Sequence, residues 1–223
     1  MGSRKDAERA RALVRERIGV ARAAMEACDD DIARELTVLA ARGIAPTCRK
    51  GCAHCCRQEI LVTRVEAETI VAWIEASWQP PQLDALKDRI RAWLVWARDG
   101  FQRRVDAGEA REVVAYEHGP LCVALEDDAC SIYPVRPMMC RTHYVSSSPD
   151  ACRQASDPAS SRDDKVLVLA SIHRVSQPAI LRIRAVVERQ GADFRATVHL
   201  LPEWLAHLLR VEDQPWRDAP RPF

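Results

Sequence analysis

The chain has 223 residues, 48% of them hydrophobic, and 33 Lys and Arg against 32 Asp and Glu. That is apolar material for one substantial core, so a single domain over residues 1–223 is expected. The near-neutral balance offers no basic face for nucleic acid. With 8 glycines and no Gly-rich strand-to-helix turn, Rossmann and P-loop nucleotide sites are excluded.

Residues 4–42 read as one long helix. Val14, Ile18, Ala21, Met25, Cys28, Ile32, Leu36 and Leu39 step by threes and fours and draw one apolar stripe. Its charged start has no apolar h-region of a secretory signal, and a cytoplasmic address is the expectation. Gly43 and Pro46 stop the helix. A cysteine loop follows at 47–57, then a short strand at 58–62. Thr63-Arg64-Val65-Glu66 has the form of a capping box and opens a second helix, with Ala67, Ile70, Val71 and Ile74 as its core face. Pro80-Pro81 separates it from a third, whose face is Leu83, Leu86, Ile90, Trp93, Ala97 and Phe101. Gly108 and Gly119 bracket a short helical piece.

Apolar arms on either side of Glu126-Asp127-Asp128 predict a small β-hairpin over 121–133, with Cys122 and Cys130 on its arms. Pro137 is placed to start a short helix through Cys140. Residues 145–162 read as a polar loop carrying Cys152. Helical pieces resume near Asp163 and again after Pro178, and the C-terminal helices extend to about residue 210, the last opened by Pro202. No run approaches the ~18 apolar residues of a membrane span, so no membrane is expected among the partners. The fold class is therefore mainly α, with a small β-hairpin and a cysteine-rich metal-binding centre. The cluster region is 45–152.

The chemistry lies in the cysteines, of which there are nine. In a reducing compartment, clustered thiols read as metal ligands before disulfides. Cys48, Cys52, Cys55 and Cys56 form a Cys-x3-Cys-x2-Cys-Cys run, and Cys122, Cys130, Cys140 and Cys152 follow. Thiolates are soft ligands suited to Zn²⁺ and to iron–sulfur clusters. Neighbouring side chains diverge in an extended chain, so Cys55 and Cys56 suit two metal centres or one polynuclear centre better than one ion. Cys28, inside the apolar stripe, is expected to be a buried hydrophobe remote from metal. Cys152, in a polar loop, reads either as a ligand or as a free thiol. His54 and His143 are able to replace a thiolate on zinc, but rank behind the cysteines.

Cys48-x3-Cys52-x2-Cys55-Cys56, Gly119-Pro120-Leu121-Cys122 and Cys130-Ser131-Ile132-Tyr133-Pro134-Val135-Arg136-Pro137-Met138-Met139-Cys140-Arg141 together resemble the YkgJ-type cysteine-cluster family, a zinc- or iron-chelating CxxCxxCC domain. Flagellin lysine methylases share the motif. The resemblance spans about residues 45–152. It implies that Cys48, Cys52, Cys55, Cys56, Cys122, Cys130 and Cys140 are cluster cysteines, with a looser match at Cys152. Arg136 and Arg141 fall in the same motif. A guanidinium beside a metal–thiolate centre would offset its negative charge, so both are candidates for contact with the cofactor.

The cofactor expected is an iron–sulfur cluster, such as 4Fe-4S, or Zn²⁺. The function expected is metal-cluster binding with a redox or accessory role. The alternatives are a structural zinc protein that binds a protein partner, and a protein-modifying enzyme resembling the flagellin methylases. No acid–base pair or nucleophile stands out beyond the cluster, and no catalytic residue is assigned. The first three loop cysteines also have the spacing of a radical S-adenosylmethionine loop, but too few strands are foreseen for the parallel barrel that normally carries it.

Overall fold

The structure is a computed structural model that describes residues 4–49, 51–110, 114, 119–155 and 166–213. It is mainly helical, as expected. Helix α1 runs over Arg4–Ala41 and buries Ala21, Ala24, Met25, Cys28, Ile32 and Leu39, all but Ala24 members of the stripe read from the sequence. Strand β1 (Leu61–Thr63) leads directly into α2 (Arg64–Ser77). The capping box is present: Glu66 N–H donates to Thr63 Oγ1 at 3.3 Å, and Glu66 Oε2 accepts from Thr63 N–H at 2.8 Å.

Helix α3 spans Pro80–Val95, its prolines in the first turn where no N–H is needed. The apolar face of the sequence does not continue as one α-helix to Phe101. Residues Trp96–Gly100 form a π-helical turn before α4 (Phe101–Asp106). Gly100 leaves room for the Trp96 ring against this turn, since a Cβ there would stand 2.9 Å from Trp96 Cδ1. Most of the short helical piece expected between Gly108 and Gly119 lies outside the described residues, as does Asp163.

The hairpin is small. Strands β2 (Leu125–Glu126) and β3 (Ala129–Cys130) pair antiparallel, with Leu125 opposite Cys130. Asp127 and Asp128 both have positive φ, 47° and 57°, as a two-residue primed turn demands. Cys130 sits on its arm, whereas Cys122 precedes the first strand. Helix α5 is Met138–Arg141. The polar segment expected to be a loop contains a helix, α6, over Pro149–Ala155, and Cys152 lies on it. Helices α7 (Ala170–Val175) and α8 (Gln177–Arg189) follow. Strand β4 (Val198–Leu200), absent from the sequence reading, pairs antiparallel with β1, Val62 facing His199, and runs into α9 (Leu201–Leu208).

Two apolar clusters fill the interior. One joins α2, α3 and α9 to the hairpin through Ile70, Ile74, Leu86, Ile90, Leu205, Val123 and Ile132. The other packs α1 on α7 and α8 through Cys28, Ile32, Ile172, Ile183 and Val186, and takes in Val65 and Met138. Helix α2 contributes to both, and the cysteine segments lie where its N-terminal end meets the hairpin and α5. Among the described residues, no helix is long and apolar enough to cross a membrane.

Candidate metal centre

Four pieces of chain bring the cysteines together. The loop after α1 is pinned at its start, where Thr47 N–H donates to the Val145 carbonyl at 2.9 Å and Thr47 Oγ1 to the Ser147 carbonyl at 2.5 Å. Next to it, Cys48 Sγ accepts from Val145 N–H at 3.4 Å. Gly51, at φ +87°, turns the chain in a conformation that L side chains rarely adopt. A 3₁₀ turn over His54–Arg57 then carries Cys55 and Cys56. The second piece is the approach to the hairpin: Cys122 N–H donates to the Cys56 carbonyl at 2.8 Å, which fixes one cysteine segment on the other. The third piece is the hairpin arm with Cys130 and the short helix with Cys140. The fourth is α6, which packs against the 3₁₀ turn and carries Cys152.

Cys48, Cys52, Cys55, Cys56, Cys122, Cys130 and Cys140 line a single cavity of about 180 Å³, with Tyr133, Arg136, His143 and Tyr144 also in its wall. Cys152, Arg141 and His54 are not in that wall. Cys152 nevertheless lies near it, since Cys48, Cys52 and Cys55 are its electrostatic neighbours. Cys28 is fully buried between helices, as its place in the stripe required.

Burial shapes the titration of these thiols. It pushes Cys122 up to about 11 and raises Cys48, Cys130, Cys140 and Cys152 as well. Nearby thiols add to the rise through like-charge repulsion. Cys55 and Cys56 hydrogen-bond to each other. Accepting that bond holds Cys55 down, to about 7, and donating it pushes Cys56 up. His143 is lowered by burial and is therefore neutral at pH 7. A metal that loads this cavity must displace protons from most of the thiols, so its affinity depends on pH.

Arg136 is half-buried at the cavity wall. Its guanidinium lies 4.2 Å from the centroid of the Tyr133 ring, and Nη2 donates to Tyr144 OH at 3.4 Å. Its Nε is buried without a hydrogen-bond partner among the described residues. Arg141 stands behind it, 2% exposed. It pairs with Asp29 on α1 and donates through Nη2 to the carbonyls of Pro134 at 3.0 Å and Arg136 at 3.3 Å. The two motif arginines thus occupy different places: Arg136 faces the thiols, and Arg141 ties the backbone beneath it to α1.

Glu66 holds the third piece from the other side. Its Oε1 accepts from Met138 N–H, the first N–H of α5, at 2.8 Å, while Oε2 serves the capping box. The sequence showed Glu66 only as a cap. Asp29 gave no signal at all, because it sits in an Asp29-Asp30-Asp31 run that reads as a solvated helix face.

The comparison with protein families bears on this same stretch. Residues 47–157 match the model of the CxxCxxCC family, whose description is "Putative zinc- or iron-chelating domain". The chain belongs to this family. No curated protein and no solved structure matches the chain. The CxxCxxCC segment holds eight of the nine cysteines, and the ninth, Cys28, lies on α1. Zinc or iron chelation is the function that this membership supports.

The CxxCxxCC cavity suits such a group in its donors: seven soft thiols, with the charged side chains of Arg49, Arg136 and Asp128 also in its wall. Among the described residues, no group of three or more His, Cys, Asp or Glu side chains is already set to hold a metal ion. The thiols ring a space instead of converging on a point. In a tetrahedral zinc site, Zn–S bonds of ~2.3 Å put the sulfurs about 3.8 Å apart. The ring must contract to hold a lone ion, or be filled by a larger group.

Proposed function

We propose that the CxxCxxCC segment binds iron–sulfur rather than lone zinc, through Cys48, Cys52, Cys55, Cys56, Cys122, Cys130, Cys140 and Cys152, and that the protein has a redox or accessory role. The observation that carries this reading is the width of the thiol ring. A cavity of about 180 Å³ lined by seven cysteines is far larger than a space for one small occupant, which needs only ~10–15 Å³. An iron–sulfur cluster supplies one-electron transfer when bound.

The chain's own residues have three tasks around it. The thiols give up their protons and, as thiolates, anchor the group from both sides. Arg136 supplies a positive charge against the excess negative charge of thiolates and cluster, and its unpartnered Nε offers a further donor. Arg141 and Glu66 hold the backbone of the Cys130–Cys140 segment in place without reaching the metal.

Anaerobic purification followed by elemental analysis tests the assignment. A brown protein with iron and acid-labile sulfide in equal amounts is expected. A colourless protein that carries zinc and no iron overturns it, and makes the centre a structural staple instead.

A further inference from the structure

We propose that a second cavity, across α5 from the thiols, binds an uncharged, mainly apolar small molecule that carries a hydrogen-bonding atom at one end. The inference deepens the reading above by naming the class of molecule that meets the metal centre, and it rests on that reading for what the thiols hold.

The second cavity has a volume of about 330 Å³, within the ~300–1,000 Å³ common among small-molecule sites. Leu61, Ile180, Ile183 and Phe194 make its wall apolar. Met139 and Val168 also line it, and both are large apolar side chains that the surface leaves open, 46% and 51% exposed. Helix α5 is the partition between the two cavities. Cys140 lines the thiol cavity, Met138 lines this one, and Met139 and His143 line both. A molecule seated here would lie against the same two side chains that border the metal centre.

The polar groups in the wall select against a charged ligand. Both oxygens of Glu66 are committed, accepting from Met138 N–H, Thr63 N–H and Thr63 Oγ1. Thr142 Oγ1 donates to the Met138 carbonyl at 2.9 Å. No Lys or Arg among the described residues lines the cavity. An ionic ligand would therefore lose hydration without gaining a free counter-charge. The imidazoles of His143 and His173 differ from these groups, since neither makes a hydrogen bond among the described residues. An imidazole offers a donor or an acceptor as its partner requires. His143 puts one such group on the side of the metal centre, and the flexible Met138 and Met139 let the wall adapt to the ligand's apolar part.

The test uses the full-length protein, purified anaerobically, with Prodan as the probe. Prodan is an uncharged naphthalene with a ketone at one end, and its emission shifts to the blue when it leaves water. Saturable binding of one Prodan per chain is expected. Ile180→Trp, which fills the cavity from a half-buried position, should weaken binding about tenfold or more and leave metal content unchanged. Val168→Asp, at an exposed position that tolerates substitution, should weaken it several-fold, so misfolding of the first variant cannot shelter the proposal. Anionic anilinonaphthalene sulfonate and cationic thioflavin T should each bind about tenfold more weakly than Prodan. Absence of saturable Prodan binding overturns the proposal, and so does binding that both variants leave unchanged. A charged dye that binds as tightly as Prodan, and is lost in Ile180→Trp, overturns the ligand class. Prodan binding is read independently of the metal, so the two readings fail separately. A zinc protein that binds Prodan loses the iron–sulfur assignment and keeps the cavity's ligand, and an iron–sulfur protein that ignores Prodan does the reverse.

Discussion

Cys28 and Arg136 have opposite roles, and single substitutions tell them apart. Cys28 is fully buried among apolar side chains, and burial pushes its thiol up to about 11 from an ordinary 9.0. Cys28→Ser should leave metal content at the wild-type level and lower stability by about 1–2 kcal/mol, read by urea unfolding with elemental analysis in parallel. Between pH 9 and 11 the folded chain keeps the Cys28 proton while the unfolded chain loses it. The folded state then binds more protons, so this thiol's contribution falls as pH rises through that window. Cys28→Ser should flatten that alkaline loss in melting curves taken at pH 8.5 and 10.5. Arg136→Gln removes one of the positive charges in the wall of the thiol cavity. It should weaken metal retention roughly 10–100-fold and lower the reduction potential of a bound cluster, since adding an electron beside thiolates becomes harder. Arg136→Lys should recover the potential in part, which separates charge from packing.

At the scale of elements, the N-terminal end of α2 is the joint between scaffold and centre. Glu66 is 5% exposed and satisfies three donors: Thr63 N–H, Thr63 Oγ1 and Met138 N–H. Each buried donor left without a partner costs about 1–3 kcal/mol. Glu66→Ala should therefore destabilise the protein by roughly 3 kcal/mol or more, measured by urea unfolding. It should also speed metal release to a chelator, because α5 loses the acceptor at its first N–H. The local part of this joint was legible: Thr63 and Glu66 are three residues apart, and the capping box is a short-range pattern. The long-range part was not, since nothing in the sequence around Glu66 points to Met138. The same division explains the other outcomes. Helices α1, α2 and α3 follow from apolar spacing, and the hairpin from its acidic turn. Strand β4 is three residues long and exists through its pairing with β1, so it has no local signature. Helix α6 was hidden by the Ser, Pro and Asp content of its surroundings, although Pro149 sits in its first turn. Among the proposed ligands, the seven cavity cysteines were legible from motif and spacing; that Cys152 is a neighbour of three of them needed the fold.

The molecule as a whole encloses a long stretch of chain between Cys56 and Cys122. Closing such a loop costs on the order of 3–5 kcal/mol of chain entropy, whereas structural zinc in small peptides contributes roughly 10–16 kcal/mol. The core of α2, α3 and α9 is built of buried apolar side chains, and is expected to pack without metal. On metal removal, hydrogen exchange should rise sharply in 47–57 and 121–145, with α1, α8 and the buried face of α2 still protected. Unchanged protection in the cysteine loop would show that the metal decorates a preformed site. Acidification should release the metal before the helices melt, because protons compete for the thiolates first.

The position of β4 sets an order of events as the chain is made. Every proposed ligand lies at or before Cys152, but the strand that pairs with β1, and the helix that covers α2 and α3, come only at Val198–Leu208. At ~5–20 residues per second, the ribosome takes several seconds to cross that interval. During it the thiols are already synthesised, while the strand and helix that complete the scaffold beside them are still to come. Delivery of metal during translation would meet an accessible, half-built site; delivery afterwards would have to enter through the finished cavity. Stalling synthesis just short of Val198, with metal supplied or withheld, would show which door the metal uses.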